Sequence, residues 1–206
     1  MKRRQLVHGA AALAVFALLG CQDDEAGSDV LDDAELEGLL YMRDEEKLAR
    51  DVYLQLGQAY GRQVFDNIAE SEQRHMDSVL GLLERYGVAD PVAGLGVGEL
   101  QNPELQALHD ELIARGMQSE EQALRVGALI EEVDILDLRL HTLETDEATI
   151  AQVYGNLEAG SHNHLRAFVD DLTTLGVDYQ PERLTLDDYV AIIAAESTQG
   201  SGQHGH

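Results

Sequence analysis

Tryptophan is absent, and only three phenylalanines and seven tyrosines supply aromatic bulk among 206 residues. A core built from this chain must therefore be aliphatic, as the cores of helical bundles usually are. Cysteine occurs once, which excludes an internal disulfide framework. Basic residues are scarce: 14 lysines and arginines face 39 aspartates and glutamates, a formal charge of −25. That balance argues against nucleic acid and against anionic membrane surfaces as partners, while it favours solubility and attracts cations. No window alternates apolar and polar residues as a half-buried strand would, and no internal repeat is strong enough to claim. With 44% apolar residues, the chain suits one domain with a substantial core.

The longest apolar run, residues 6–19, follows Lys2, Arg3 and Arg4. It is a poor membrane span, which takes roughly 20 apolar residues. The run ends in Leu18-Leu19-Gly20-Cys21, which resembles the bacterial lipobox, whose cysteine is lipidated and becomes the first mature residue. The expectation is a signal peptide over residues 1–20, a lipid on Cys21, and a place on the bacterial envelope facing the periplasm or the exterior. An ordinary signal peptide with an incidental cysteine is the alternative, and Arg3-Arg4 hints only weakly at a twin-arginine signal. Removal of residues 1–20 leaves 11 basic residues against 39 acidic ones, a charge of −28. Residues 21–33 are acidic and aperiodic, as a flexible tether between lipid and domain would be.

Helical periodicity organises residues 34–196. The first helix is predicted over about 34–58, with Leu39, Met42, Ala49, Val52, Tyr53 and Leu56 on its apolar side. A short turn at Gly61-Arg62-Gln63 returns the chain antiparallel into a second helix over about 64–86, ended by Gly87 with Pro91 beyond. Residues 87–118 form a long connection with a shorter helix of its own, from Asn102-Pro103 to about Arg115. Ser119-Glu120-Glu121-Gln122 has capping-box spacing and opens a third long helix to about Thr142. A fourth follows Thr145-Asp146 and runs to about Leu175, and Thr185-Leu186-Asp187-Asp188 can cap a last short helix over 189–196. The tail, 197–206, is Gly, Ser, Gln and His, the composition of a disordered end. Two antiparallel helix pairs joined by one long crossover describe an all-α, ferritin-like four-helix bundle.

Each long helix also carries metal-type ligands on its apolar face. In the second, the stripe Phe65, Ile68, Glu72, His75, Val79, Leu82, Leu83 and Tyr86 holds a carboxylate and an imidazole three residues apart. Burying either group alone costs several kcal/mol. Glu-x-x-His spacing lets one helix offer both to one ion, although a Glu–His hydrogen bond at a helix contact would also satisfy the pair. Glu46 shares a face with Leu39, Met42, Ala49 and Tyr53. Glu131 lies with Leu124, Gly127, Ile135 and Leu138, with Asp134 on its flank, and Glu132 competes with Glu131 for the inward position. His164 stands one turn from Phe168 and two from Leu157. Four buried carboxylates would repel one another without cations, and two divalent ions would neutralise Glu46, Glu72, Glu131 and Asp134, with His75 and His164 as neutral ligands. Such an oxygen-rich, two-imidazole set suits iron or manganese, with zinc a common impostor. His109 and His141 read as surface or edge residues, and His204 and His206 as loose tail histidines.

The segments Glu46-Lys47-Leu48-Ala49-Arg50-Asp51-Val52-Tyr53, Glu72-Gln73-Arg74-His75 and Asn163-His164-Leu165-Arg166-Ala167-Phe168 resemble the ligand helices of rubrerythrin-like members of the ferritin superfamily. More closely, the stretch Leu40 to Tyr53 (Leu-Tyr-Met-Arg-Asp-Glu-Glu-Lys-Leu-Ala-Arg-Asp-Val-Tyr), Ile130-Glu131-Glu132-Val133-Asp134-Ile135 and Gly160-Ser161-His162-Asn163-His164 resemble an uncharacterised bacterial and archaeal family, domain of unknown function 2202. The resemblance covers about residues 37–169 and implies a ferritin-like fold without an established reaction. Two departures stand out. The residue three before His164 is Ser161, so a second Glu-x-x-His is missing and Asp134 is left to supply that carboxylate; the neighbouring Glu158–His162 pair projects about a third of a turn away. There is also no cysteine pair for a rubredoxin-type iron centre, so electrons would come from an unidentified donor.

Three readings stay open: a di-iron or di-manganese protein reacting with O2 or peroxide, a metal-binding or storage module without turnover, and a non-catalytic envelope scaffold. In the first, Glu72 or Glu131 would bridge, His75 and His164 would cap one metal each, and Glu46 and Asp134 would be terminal. Tyr53 or Tyr154 could donate an electron or a hydrogen bond, though either also suits core packing. A homodimer is compatible with all three.

Overall fold

The computed structural model describes residues 30–195. The expected signal peptide, Cys21, most of the tether and the tail with His204 and His206 lie outside the described residues. Within them the chain is all-α, without a strand: α1 (Asp33–Tyr60), α2 (Gln63–Arg85), α3 (Pro103–Gly116), α4 (Glu120–Glu144), α5 (Ala148–Thr174) and α6 (Leu186–Ala194).

The helix ends follow from capping chemistry. Asp32 and Glu35 form a reciprocal box at the start of α1, each side chain accepting from the other's backbone N–H at 2.8–3.0 Å. Gly61, at φ 66°, turns the chain after α1, a conformation that favours glycine. Asn102 caps α3 with Pro103 in its first turn, and Ser119 caps α4. Thr185 caps α6 directly, so that helix opens at Leu186, three residues earlier than its periodicity predicts. Glu35 also accepts from Thr145 Oγ1 at 2.7 Å and from the Glu147 N–H at 3.3 Å, which fastens the α4–α5 turn to the start of α1.

α1 packs along α2 and α4 along α5, and the pairs meet through α1 against α4 and α2 against α5. The connection after α2 does not turn back as a hairpin; its helix α3 lies on α1 and α4. Charged residues of α1 hold that connection in place. Arg43 donates to Asp90 at 2.8 and 3.0 Å and to the Met76 carbonyl at 2.9 Å. Asp44 accepts from the N–H groups of Gln101 and Asn102. Lys47 pairs with Asp51 and donates to the Gly96 carbonyl, and Asp51 accepts from the Gly98 N–H at 2.8 Å. Every one of residues 42–49 is buried as a result.

The apolar core falls into two clusters. One gathers Tyr53, Phe65 and Phe168, with ring centroids 5.2–6.2 Å apart, among aliphatic residues of α1, α2, α4 and α5. The other gathers Leu39, Met42, Val79, Leu82, Leu138, Tyr154 and Leu157. On α1, α2 and α5 the polar residues of interest fall between the two: Glu46 between Met42 and Tyr53, Glu72 and His75 between Ile68 and Val79, His164 between Leu157 and Phe168.

Candidate metal centre

All six residues singled out in the sequence are at least nine-tenths buried: Glu46 on α1, Glu72 and His75 on α2, Glu131 and Asp134 on α4, and His164 on α5. They converge. Glu72 lies between the two imidazoles, its Oε2 2.8 Å from His75 Nδ1 and its Oε1 2.8 Å from His164 Nδ1. Glu46 Oε2 flanks His75 Nδ1 at 3.3 Å, and Glu131 Oε2 flanks His164 Nδ1 at 3.3 Å. The rings stack with centroids 5.3 Å apart. The site is therefore two-lobed, with one imidazole and one flanking carboxylate in each lobe and Glu72 shared.

These approaches are close without being hydrogen bonds. Both oxygens of Glu46 and of Glu72, Nδ1 of His75 and of His164, and Oδ1 of Asp134 are buried atoms with no aligned hydrogen-bond partner. A Glu–His hydrogen bond at a helix contact would aim an N–H at an oxygen, and the Glu72–His75 approach lacks that alignment. Buried oxygens and ring nitrogens crowded together without aligned hydrogen bonds are a donor set that a cation could satisfy. Ligand atoms of Glu72, His75 and His164 all lie within 4.8 Å of one another, a buried group that could hold a metal ion.

Electrostatics describe the same strain. Burial pushes Glu46 up to about 7, with His75 pulling it back. Burial likewise raises Glu131, and it raises Asp134 well above the usual range, helped there by the charges of Glu46, Glu131 and Glu72. Glu72 moves the other way, because the two imidazoles outweigh its desolvation. Burial would lower His164, but the carboxylates of Glu72 and Glu131 overcome it and raise the ring to about 10. His75 is raised for the same reason by Glu72 and Glu46. Left to itself, the site keeps protons where divalent cations would sit.

A supporting layer positions these groups. Tyr53 Oη donates to Glu131 Oε1 at 2.5 Å. Ser161, at the position where a second Glu-x-x-His would have its carboxylate, donates to Asp134 and also reaches the Leu157 carbonyl at 2.9 Å. Gly160 makes room for His75: a Cβ there would stand 2.6 Å from His75 Nε2.

The structure separates Glu131 from Glu132. Both are buried, but Glu132 points to the other side of α4, where it accepts from Tyr179 Oη and from the N–H groups of Glu182, Arg183 and Leu184. Glu132 anchors the segment leading to α6. Tyr154 keeps its hydroxyl unpartnered in the second core cluster. Glu158 and His162 sit off the centre, with Glu158 accepting from Arg139 at 2.7 Å. His141 is at the edge, 3.0 Å from Glu144. His109 is not a surface residue as its sequence context predicts: only 5% exposed, it meets Gln55 at 2.8 Å and Asp110 at 3.1 Å beneath the connection that packs on α1.

Glu45 escapes the sequence reading. It is 3% exposed, with Oε2 unpartnered, and burial together with the charge of Asp134 raises it well above the usual carboxylate range. Its signal was its place one turn from both Met42 and Leu48.

Comparison with known proteins agrees with this arrangement of helices. A protein of Methanocaldococcus jannaschii, "Uncharacterized protein MJ0754", is 46% identical over 170 residues, covering 82% of this chain and 92% of its own. A solved chain titled "Crystal structure of hypothetical protein MJ0754 from Methanococcus jannaschii" superposes with a TM-score of 0.80 at 47% identity, covering 81% of this chain and 95% of that one. The family model described as "Uncharacterized protein domain (DUF2202)" matches residues 35–196, and the chain belongs to that family.

Proposed function

We propose that the protein is a ferritin-like metalloprotein whose four long helices hold two divalent ions, iron or manganese, and that it reacts with O2 or peroxide. The observation that carries the reading is the set of seven buried, unpartnered ligand atoms on α1, α2, α4 and α5, with those of Glu72, His75 and His164 within 4.8 Å of one another. Burying four carboxylates is prohibitive unless positive charge compensates them. Two divalent ions match that charge, with both imidazoles neutral.

Glu72 suits a bridging role because its two oxygens face the two histidines. His75 with Glu46, and His164 with Glu131, would complete the two lobes. Asp134, held by Ser161, would serve as a terminal carboxylate. Iron held by these carboxylates and imidazoles would supply the electrons that reduce O2 or peroxide. The protein's own residues set the conditions. The two apolar clusters keep bulk water away, which strengthens every charge interaction inside. Tyr53 holds a proton against Glu131 and orients that carboxylate. A single cysteine leaves no iron–thiolate relay within the chain, so electrons would arrive from a separate donor. A lipid on Cys21 would tether the domain to the bacterial envelope.

Metal analysis of the whole protein, followed by anaerobic Fe(II) titration and addition of O2 or peroxide, tests this reading. Two bound ions and an oxidant-dependent near-ultraviolet band are expected. Stoichiometric metal without a redox change would make the centre a structural or storage site. Absence of stoichiometric metal would leave a scaffold.

A further inference from the structure

A cleft of about 650 Å³ opens between α2 and α5, and one edge of His164 forms part of its wall. Its polar lining comes from two facing stripes: Asn67, Ser71 and Arg74 at i, i+4 and i+7 on α2, and Asn163, Arg166 and Asp170 at i, i+3 and i+7 on α5. The size lies in the range that small-molecule sites occupy.

The charge of this lining runs against that of the chain. Elsewhere carboxylates claim most of the basic side chains: Arg43 pairs with Asp90, Lys47 and Arg50 with Asp51, Arg62 with Glu120, Arg115 with Glu182, Arg125 with Glu121 and Arg139 with Glu158. Arg74 is exposed, and among the described residues its guanidinium meets no carboxylate. Arg166 bonds only neutral acceptors, the Ile192 carbonyl at 2.8 Å and Asn163 Oδ1 at 2.5 Å. Its Nε is buried and unpartnered. Those neutral contacts fix the guanidinium against the cleft wall without neutralising it. Asp170 is the only acidic residue of the lining. In a chain of formal charge −25, two guanidinium groups that form no ion pair, set against the single charge of Asp170 acting on Arg166, leave this polar lining net positive and form a local anion site, because guanidinium binds oxyanions through paired N–H donors.

We propose that this cleft binds small molecules through a carboxylate or phosphate group held by Arg74 and Arg166, and so selects anionic reactants for the centre beside it. The selection of reactants rests on the metalloprotein reading above; the anion site itself does not.

The test uses the full chain, metal-free, in neutral detergent micelles at fixed ionic strength, because partly exposed charges are screened by salt. Inorganic phosphate and acetate are titrated separately while the arginine Nε–Hε and backbone amide resonances are followed by NMR. Saturable shifts at Arg74, Arg166 and Asn163 are expected with at least one probe, and the probe that saturates identifies the group recognised. Arg74→Gln should weaken binding about three- to tenfold, as loss of one charge-assisted contact does. Arg74→Glu should abolish it, and Arg74→Gln should leave thermal stability unchanged, since Arg74 has no side-chain partner to lose. Equal shifts in the parent and in Arg74→Glu would overturn the proposal, as would saturation confined to basic residues outside the cleft. Phosphate or acetate binding in a protein that takes up no metal would sink only the metal reading; stoichiometric metal without anion binding would sink only this one.

Discussion

Glu46→Gln should stabilise the metal-free protein while destroying its response to metal. Burial raises the Glu46 carboxyl from 4.5 to about 7. A carboxyl whose folded value lies above its unfolded one binds its proton more tightly in the folded state. Its contribution to stability is therefore greatest below pH 4.5 and is lost as the pH climbs from there to 7. At about 1.4 kcal/mol per unit, ionising this one residue costs the fold roughly 3 kcal/mol by neutral pH. Glu46 is 1% exposed, so solvent screening offsets little of that cost. Glutamine keeps the shape and cannot ionise, so above pH 7 the metal-free variant should exceed the parent by up to that amount. For a chain of this size the gain is about 6–12 °C in Tm. His75 and His164 act in the same direction. Both are raised, so their contribution is complete below about 6.5 and fades as the pH rises, for His164 through about 10. The metal-free parent should therefore lose stability steadily from pH 5 to pH 9.

On the proposed reading divalent metal should reverse this trend, because it would compete with the same protons and its affinity would grow as they leave. Thermal unfolding of metal-stripped and Mn(II)-saturated protein at pH 5, 6, 7 and 8 checks both halves. The parent should show a metal-dependent rise in Tm that is small at pH 5 and large at pH 8, and Glu46→Gln should show a shallower metal-free decline, left by His75 and His164, and little rise. If the metal-free parent is indifferent to pH, or if Glu46→Gln is less stable than the parent without metal at pH 8, the electrostatic account of the site is wrong.

Gly160→Ala should lower Mn(II) affinity at least about tenfold by pressing on His75; Gly155→Ala, with nothing near its Cβ, should leave affinity unchanged and add about 0.5–1 kcal/mol of helix stability, so equal affinities for the two variants would count against His75 as a ligand. Glu132→Ala should cost about 3 kcal/mol or more of stability in chemical denaturation by stranding the donors around Tyr179 and residues 182–184. Metal stoichiometry should survive that change, whereas Glu131→Ala should lose metal; the opposite assignment would show that the wrong neighbour was placed in the centre. Cys21→Ala should release the protein from the membrane fraction or leave it unprocessed, and unchanged fractionation would dismiss the anchor.

The six helices and the ligand face of each long one were legible because both depend on local rules. Caps at Asn102, Ser119 and Thr185 mark helix starts, and the intervals 68–72–75–79 and 157–164–168 mark the stripes that face inward. What the sequence concealed was burial on more than one side. The apolar stripe of α1 marks Glu46 and carries no signal for the burial of the charged residues around it. Yet α2, α3 and α4 all pack on α1, and a helix enclosed in this way has no polar face to discard. His109 is buried for the same reason, since α3, which carries it, packs on α1 along a path that no local pattern reveals. The cost of enclosure explains why the motif is so heavily charged. Arg43, Asp44, Lys47 and Asp51 are each matched by a carbonyl, an N–H or an opposite charge from the connection or from α1 itself, which is what lets them be buried. Glu45 and Glu46, within the same two turns, keep oxygens without an aligned hydrogen-bond partner, and Glu46 faces His75 Nδ1, 3.3 Å from its Oε2. A segment that satisfies four buried charges and leaves two adjacent carboxylates open has its exceptions where α1 faces Glu72, His75 and Asp134, and that contrast argues for a cation there more strongly than burial alone does.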